Sequence, residues 1–180
     1  MEAPSLIVML WLYAAGANTG WVPKIALFLW ASHYAYRSFL YPALARLDGK
    51  TMPVVVAALA VVFNLGNAGF NGLTLFCWLP DSTVGINELG GVQILGLVFF
   101  LTGFFVHVHS DHVLRGLRKD GERGYKIPGK GLHCWVASPN YFGEIVQWLG
   151  FALFVQNLAG WSFLLWTVAN LLPRALVNHQ

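Results

Sequence analysis

Six long apolar stretches, separated by short polar segments, organise the whole chain. They cover residues 3–20, 21–45, 52–78, 89–109, 139–157 and 158–177. Each is near the roughly 20 residues that an α-helix needs to cross a bilayer. All are too long for the alternating segments of about 10 residues that build membrane β-barrels. The pattern therefore predicts six transmembrane helices, because a helix satisfies its own backbone polar groups inside lipid.

The composition agrees with this pattern and bounds the architecture. Of 180 residues, 57% are hydrophobic and only 11% are charged, whereas about a quarter of the residues are charged in typical soluble domains. Six spans and their connections use almost the whole length, so no separate soluble domain fits. We predict an all-α polytopic membrane helix bundle that forms one domain over residues 1–180.

The basic residues are unevenly distributed and predict an orientation. With six spans, nine of the eleven lysines and arginines fall on one side: Arg46, Lys50, Arg115, Arg118, Lys119, Arg123, Lys126, Lys130 and Arg174. Cytosolic loops of membrane proteins carry such an excess, so we expect both termini and the basic loop 110–138 to face the cytosol. This glycine-rich loop is explained either by attraction to anionic headgroups or by binding of a multiply charged anion such as a dinucleotide.

The second apolar stretch contains polar residues that are costly in lipid, on the order of 2.5–3.5 kcal/mol for an ionisable group. Tyr34, Arg37 and Tyr41 share one face at helical spacing. One explanation is an interfacial aromatic belt with Arg37 extending to the headgroups. The other is a tyrosine hydroxyl that donates a hydrogen bond or a proton to a substrate oxygen.

Acidic residues also occur at the edges of the predicted spans. A carboxylate at the position of Glu2 is explained by the helix dipole, which stabilises negative charge at a helix N-terminus. We expect a functional role for Glu2 only if helix packing brings it beside Tyr34. Asn140 and Glu144 form an i, i+4 pair at the start of the fifth span. A buried carboxylate needs a partner, for which we expect Arg118, Arg174 or a ligand hydroxyl.

The fourth span ends in a group of histidines that raises the question of a metal site. His107 and His109 are two residues apart and cannot share a helical face. We therefore expect hydrogen bonding at the mouth of the bundle and no metal ion.

Two motifs resemble the C-terminal signature of the steroid 5-alpha-reductase (3-oxo-5-alpha-steroid 4-dehydrogenase) family. The first is the run from Leu117 to Pro128, LRKDGERGYKIP, and the second is the run from Ser138 to Trp148, SPNYFGEIVQW. The preceding HSDHVLR at 109–115 and PRA at 173–175 are similar to the same signature. His33-Tyr34 and the opening Glu2-Ala3-Pro4-Ser5 resemble the segments that carry the catalytic tyrosine and glutamate of the family.

This resemblance implies a membrane reductase that uses NADPH to reduce the 4,5 double bond of a 3-oxo-4-ene steroid. Glu2 and Tyr34 match the pair that holds the 3-keto oxygen. The cofactor contacts of the family match Asp111, Arg118, Tyr125, Asn140, Glu144 and Arg174. The apolar steroid pocket matches Tyr41, Phe63 and Trp148.

The resemblance also implies the partners, the oligomeric state and the membrane of this protein. Partners are a steroid or another enone lipid and membrane lipids, without nucleic acid, and the protein is expected to be a monomer. A eukaryotic member is expected in the endoplasmic reticulum and a bacterial one in the inner membrane.

Family members usually have an additional helix before the glutamate and a longer C-terminal tail, so we expect a shortened member. His107 and Gln147 stand where an asparagine and a glutamate are common.

Two other functions share part of this pattern. S-adenosylmethionine-dependent membrane methyltransferases share the Pro-Asn-Tyr-Phe-Gly run, although Tyr34, Glu2 and the run from Arg118 to Pro128 argue against them. A non-catalytic protein that binds sterol is the third alternative.

Overall fold

The computed structural model describes residues 2–18, 20–44, 52–79, 86–117 and 131–177. Six helices account for most of these residues. They are α1 (Ala3–Ala15), α2 (21–44), α3 (Val54–Trp78), α4 (Gly91–Gly116), α5 (Pro139–Val155) and α6 (Leu158–Val177). Short 3-10 segments occur at Ile86–Glu88 and Gly131–Cys134. The prediction of an all-α helix bundle is confirmed.

Local sequence explains several helix ends. Proline occupies the first turn of α1 and of α5. The N–H groups of a first turn have no partner within the helix, so the N–H that proline lacks costs no hydrogen bond there. At the end of α5, Gln156 adopts the left-handed conformation, with a φ of 50°. Asn157 Oδ1 then accepts the N–H of Gly160 at 2.9 Å, which caps the first turn of α6. This compact junction reverses the chain and packs α6 against α5.

The helix bounds differ from the apolar stretches in two places. The stretch 3–20 is helical only to Ala15, because the chain turns at Gly16, whose N–H donates to Leu12 O at 2.8 Å. In the other direction, α4 continues past His109 to Gly116. The apolar pattern ends before the helix does, since the last two turns of α4 carry polar residues that face the bundle. Residues 118–130 of the predicted loop lie outside the described residues.

The helices α3 and α4 are long and apolar enough to cross a membrane, with 25 and 26 residues. The outward surface of the bundle is apolar: Val54 is 82% exposed and Leu59 is 65% exposed. The interior contains the polar side chains of His33, His107 and Gln147. Large exposed apolar surfaces mark contact with other proteins or with membranes. We describe the chain as a membrane bundle on this basis.

Helices α4 and α5 are antiparallel and approach each other until their backbones touch. Each contributes two glycines seven residues apart, Gly96 and Gly103 on α4 and Gly143 and Gly150 on α5. A Cβ atom at Gly103 would lie 2.3 Å from the backbone nitrogen of Gln147, and one at Gly150 would lie 2.2 Å from that of Phe100. Small residues permit such close packing between membrane helices.

An aromatic cluster fills the centre of the bundle and joins α2, α5 and α6. The ring of Trp148 lies 4.3 Å from that of Phe163 and 5.4 Å from that of Trp30, measured between centroids. Phe151 packs on both tryptophans. Aromatic pairs at such distances add to the stability that burial alone provides. The cluster closes the interior beneath the polar residues described below.

The contact between α4 and α5 leads to a test of stability. We expect Gly103→Ala to destabilise the protein by about 1–3 kcal/mol, as overpacking does in well-packed cores, because the new methyl group would collide with backbone atoms. The same substitution at Gly69 is the matched control, since nothing lies within 4 Å of its Cβ position. Thermal unfolding in detergent measures both variants. An equal midpoint for Gly103→Ala and Gly69→Ala would contradict the packing described here.

Candidate functional site

Buried polar side chains gather at one end of the bundle. They come from the start of α1, the second half of α2, the end of α4 and the start of α5. His33, His107, Asp111 and Gln147 are each at most 3% exposed. Because desolvation of polar groups must be offset by partners, the contacts among these side chains define the site.

Glu2 and Arg37 form a two-pronged ion pair between α1 and α2. Arg37 Nε donates to Glu2 Oε2 at 3.1 Å, and Nη2 donates to Oε1 at 2.9 Å. Both side chains are partly buried, at 29% and 26% exposure. Two parallel hydrogen bonds fix the orientation of the carboxylate relative to the guanidinium group as well as pairing their charges. Arg37 therefore holds the Glu2 carboxylate in place.

Arg37 lies in a π-helical segment, Tyr36–Leu40, that interrupts α2. Such wide turns are often found at functional sites because they redirect side chains. Tyr36 points to α4, where its hydroxyl donates to Asp111 Oδ2 at 3.3 Å, while Arg37 points to α1. The segment therefore presents two successive polar side chains to two different helices.

Tyr34 is buried beside this ion pair, at 4% exposure. The side chains of Ser5 on α1 and Asn67 on α3 are close to its hydroxyl, and the charge of Glu2 acts on it. Ser5 also accepts the indole N–H of Trp30 at 3.2 Å. The predicted proximity of Glu2 and Tyr34 thus has a geometric basis, although the carboxylate itself is bonded to Arg37.

His33 faces α5, one residue before Tyr34. Gln147 Nε2 lies 3.0 Å from His33 Nδ1, and His33 Nε2 lies 3.9 Å from Glu144 Oε1. Gln147 Oε1 lies 3.3 Å from the same Nδ1, so the amide pairs with this ring nitrogen in either tautomer of His33. The ring also packs edge-on against Tyr34 and Trp148, at 5.1 and 4.7 Å.

His107 joins the ends of α4 and α5. Its Nδ1 lies 3.2 Å from the Asn140 carbonyl oxygen and 3.7 Å from Glu144 Oε2. Its Nε2 lies 3.6 Å from Asp111 Oδ2. The imidazole therefore stands between two carboxyl groups.

The close neighbours of Glu144 among the described residues are not arginines. Its close neighbours are the imidazoles of His33 and His107, and the charge of Arg37 also acts on it. In the part of the chain that the structure describes, no ion pair joins Glu144 to Arg174. Arg174 lines an open pocket with Tyr141, Pro173 and Val177, between the start of α5 and the end of α6. Arg118, the other expected partner, lies outside the described residues.

The residues predicted to form the steroid pocket lie in two different environments, one apolar and one charged. Phe63 stacks on Trp166 at 4.8 Å and approaches Phe163, the residue that also contacts Trp148. Tyr41 is not part of this apolar group: the guanidinium groups of Arg37 and Arg115 lie 5.2 and 5.8 Å from its ring. It therefore lies at the charged end of the site. The predicted cofactor contacts Arg118 and Tyr125 lie outside the described residues.

Several side chains of the site were not predicted as functional: Ser5, His33, Tyr36, Asn67 and His107. A signal was present for three of them. His33 and Tyr36 are three residues apart and mark a second polar face of α2, and His107 is four residues before Asp111. The contributions of Ser5 and Asn67 depend on helix packing, for which the sequence provides no pattern.

The arrangement can perform three kinds of chemistry. Tyr34 offers a buried hydroxyl to a carbonyl oxygen. The imidazoles and carboxyl groups around Glu144 can accept and donate protons. Arg115 Nη1 and Ser110 Oγ are buried without hydrogen-bond partners among the described residues, which leaves polar donors for a ligand at the end of the bundle where the basic loop begins.

These features define an α-helical membrane protein with an enclosed polar site against an aromatic interior. Comparison with known proteins identifies its family. A sequence model described as 3-oxo-5-alpha-steroid 4-dehydrogenase matches residues 50–180. The chain belongs to this family, whose members are oxidoreductases that act on a C=C bond of steroids. The predicted membership and enzyme class are thereby confirmed.

Relatives from animals and plants match almost the whole chain. The bovine protein named 3-oxo-5-alpha-steroid 4-dehydrogenase 1 (Bos taurus) is 39% identical over 99% of this chain and 70% of its own length. The cotton protein named steroid 5-alpha-reductase DET2 (Gossypium hirsutum) is 40% identical over 97% of this chain and 69% of its own. The human 3-oxo-5-alpha-steroid 4-dehydrogenase 1 (Homo sapiens) is 35% identical, covering 99% and 69%.

The ion pair between Glu2 and Arg37 leads to a second test. We expect Glu2→Gln and Arg37→Gln to be coupled in a double-mutant cycle, by about 1 kcal/mol, because either substitution alone leaves a half-buried charge unpaired. Thermal unfolding of the single and double variants measures the coupling. Combining Glu2→Gln with Arg174→Gln is the control, and its effects should add. Additive effects for Glu2 and Arg37 would contradict a stabilising pair.

Proposed function

We propose that this protein is a membrane NADPH-dependent reductase that saturates the 4,5 double bond of a 3-oxo-4-ene steroid or a similar enone lipid. The observation that carries the proposal is the position of Tyr34. Its hydroxyl is buried at the junction of the polar site and the aromatic interior, with Glu2 held nearby by Arg37. Family membership supplies the reaction class, because the relatives are named for the same steroid chemistry.

The chemistry of an enone explains why a buried hydroxyl matters. A hydride can add to the β-carbon only if the negative charge that develops on the keto oxygen is stabilised. Tyr34 would donate a hydrogen bond to that oxygen, and its dry surroundings strengthen such a bond. Glu2 would complete the pair that positions the keto group as the protonated acid, because a carboxylate can only accept a hydrogen bond and a carbonyl oxygen needs a donor. A proton is then added at the α-carbon.

The residues at the loop end fit a nicotinamide dinucleotide. Asp111, Asn140 and Glu144 would bind its polar groups, and Arg174, with Arg118 and Tyr125 outside the described residues, would bind its phosphates. Buried donors of Arg115 and Ser110 without partners in the described part of the chain support this fit. Bound there, NADPH supplies the hydride. The protein residues orient the enone and keep water away from it.

The apolar residues beside Tyr34 suit a flat hydrocarbon substrate. Phe63 and Trp148 would contact the steroid rings, with Phe163 between them. The indole N–H of Trp148 is buried and has no hydrogen-bond partner among the described residues, so it is available to a polar group of the substrate. Tyr41 would contact the substrate at the charged end.

The proposed orientation places the site at the cytosolic end of the bundle. Nine of the eleven basic residues fall on this side, as they do in cytosolic segments of membrane proteins. This side gives direct access to a water-soluble cofactor. The steroid would enter from the lipid, in the endoplasmic reticulum of a eukaryote or the inner membrane of a bacterium. We propose that a monomer is sufficient, since one chain supplies both groups of residues.

The role of Tyr34 is tested with purified protein in detergent, NADPH and a 4-ene-3-one steroid. We expect wild type to oxidise NADPH and form the saturated ketone, and Tyr34→Phe to lower kcat about a hundredfold, because it removes the donor to the keto oxygen. Tyr13→Phe is the matched control: Tyr13 packs against Phe76 on α3, away from the site, and should keep full activity.

Three outcomes would contradict this proposal. Full activity of Tyr34→Phe would remove the tyrosine from the mechanism. Binding of S-adenosylmethionine without binding of NADPH would favour a methyltransferase. Binding of sterol with no cofactor binding would favour a non-catalytic sterol-binding protein.

The role of Glu144 is tested by separate binding measurements. We expect Glu144→Ala to weaken NADPH binding more than steroid binding, because the carboxyl lies at the loop end of the site and not among the aromatic rings. Calorimetric titration with each ligand measures the two effects. Glu88→Ala, at the opposite end of the bundle before α4, is the control. A larger loss of steroid affinity than of NADPH affinity in Glu144→Ala would contradict the assignment.

A further inference from the structure

Three asparagines interrupt the otherwise apolar sequence of α3. Asn64, Asn67 and Asn71 are three and four residues apart, so they share one face of the helix. Asn71 is fully buried and Asn64 is 6% exposed, so this face is turned towards the interior of the bundle. Amide groups are costly in an apolar interior unless hydrogen bonds satisfy them. Each of the three side chains therefore needs partners.

Two of the three amides use their N–H groups within α3 itself. Asn64 Nδ2 donates to the carbonyl oxygen of Ala60 at 2.9 Å. Asn71 Nδ2 donates to the backbone oxygen and to the side-chain Oδ1 of Asn67, at 3.1 Å in each case. Asn67 Nδ2, in contrast, is buried and has no hydrogen-bond partner among the described residues. Asn67 is therefore the member of this face with an unused donor.

The bond from Asn71 also orients the amide of Asn67. Because Oδ1 of Asn67 accepts from Asn71, the NH2 group lies on the other side of the amide. The Asn67 side chain is close to the hydroxyl of Tyr34 on α2. Asn71 thus keeps the unused donor of Asn67 available to the residue proposed to hold the keto oxygen.

Aromatic packing supports this position of α3. Phe63 lies one turn before Asn67, on the same face, and its ring lies 6.5 Å from that of Phe163. Phe163 packs on Trp30 at 5.3 Å, and Trp30 packs on Tyr34 at 5.1 Å, measured between ring centroids. The face of α3 that carries Asn67 is therefore joined to the part of α2 that carries Tyr34.

Packing alone does not explain an amide at position 67. A leucine would fill a similar volume without burying a donor that has no partner, which is the costly way to bury a polar group. Asn64 shows how an amide in α3 is satisfied by the carbonyl four residues before it. Asn67 could bond to Phe63 O in the same way, but its Nδ2 makes no such bond. The donor faces the Tyr34 side of the helix instead.

The Tyr34 hydroxyl has a use for this donor. A hydroxyl has one proton to donate and lone pairs with which to accept. In the proposed reaction, the proton of Tyr34 is directed at the keto oxygen of the enone, and the tyrosine oxygen keeps its lone pairs for the protein. Ser5, the other side chain close to this hydroxyl, already accepts the indole N–H of Trp30 at 3.2 Å. The N–H of Asn67 is free to bond to the tyrosine oxygen.

We propose that Asn67 is a positioning residue of the reductase, whose amide donates to the Tyr34 oxygen while Tyr34 donates to the keto oxygen of the substrate. The proposal rests on the proposed function and adds a second donor behind the first. Hydrogen bonds in series polarise one another. As the hydride adds, negative charge grows on the keto oxygen and draws the tyrosine proton closer, and the Asn67 donor stabilises the charge left on the tyrosine oxygen. Asn67 acts through Tyr34 and does not touch the substrate.

The kinetic test compares Asn67→Leu and Asn67→Ala with Asn64→Leu. We expect both Asn67 variants to lower kcat about tenfold with little change in the KM for steroid and NADPH, because the lost bond matters most as charge develops. Leucine and alanine differ in volume, so a packing effect would differ between the two variants, whereas loss of the donor is common to both. Asn64→Leu, which removes an amide bonded to its own helix, should keep the wild-type kcat. Wild-type kcat in both Asn67 variants, or a rise in KM alone, would overturn the proposal.

A double-mutant cycle tests whether Asn67 acts through Tyr34. In the Tyr34→Phe background, we expect Asn67→Leu to change kcat by less than about twofold, because the hydroxyl that Asn67 serves is absent. Thermal unfolding in detergent verifies that the single and double variants are folded. A further tenfold loss of kcat in the Tyr34→Phe background would show that Asn67 acts independently of Tyr34, and it would overturn the proposal.

An infrared measurement of bound steroid does not depend on turnover. The carbonyl band of a 4-ene-3-one steroid with an isotope label at the keto carbon, bound without NADPH, moves to lower frequency as the hydrogen bond to its oxygen strengthens. We expect the largest shift in wild type and Asn64→Leu, a smaller one in Asn67→Leu, and the smallest in Tyr34→Phe with or without Asn67→Leu.

The infrared result separates this proposal from the proposed function. Equal carbonyl bands in wild type and Asn67→Leu would overturn the role of Asn67 even if the reductase activity is demonstrated. The expected order of bands without any reduction of the steroid would support the role of Asn67 in polarising the keto group and reject the reductase function. Failure of the steroid to bind to the wild-type protein would overturn both.

Discussion

The close contact between the backbones of α4 and α5 is the constraint on which the rest of the site depends. Gly103 lies against Gly143 and the nitrogen of Gln147, so neither helix can slide or rotate without a collision. This register brings His107 of α4 next to the Asn140 carbonyl and the Glu144 carboxyl of α5. Apolar side chains give membrane helices little preference for one register over another. Backbone contact at glycine supplies that preference.

Helix α2 completes the site by presenting polar side chains in three directions. His33 contacts α5, Tyr36 contacts α4 and Arg37 contacts α1. The π-helical segment changes the direction of successive side chains within a single turn. As a result, the costly polar groups find partners on three helices. Their partners in turn keep the Tyr34 hydroxyl at the boundary between the polar site and the aromatic interior.

Particular residues show how far the sequence could predict the site. Glu144 was expected to need a partner such as Arg118, Arg174 or a ligand hydroxyl, because a buried carboxylate needs one. Among the described residues two imidazoles lie next to it, since helix packing decides which side chains meet. Tyr41 was grouped with Phe63 and Trp148, yet the guanidinium groups of Arg37 and Arg115 lie 5.2 and 5.8 Å from its ring. Helical spacing indicates which side chains share a face, and it does not indicate which neighbouring helix that face meets.

The sequence by itself determined that the chain is an all-α membrane bundle and a member of the steroid 5-alpha-reductase family. Those conclusions follow from the lengths of the apolar stretches and from motifs that are local in the chain. Only the tertiary structure decided that Glu2 is held by Arg37 and that the side chains of Asp111, His107, Glu144 and His33 are neighbours. These residues come from four helices far apart in the sequence, and their distances are set by helix register and rotation. Register depends on contacts between backbones, which no local pattern of residues encodes.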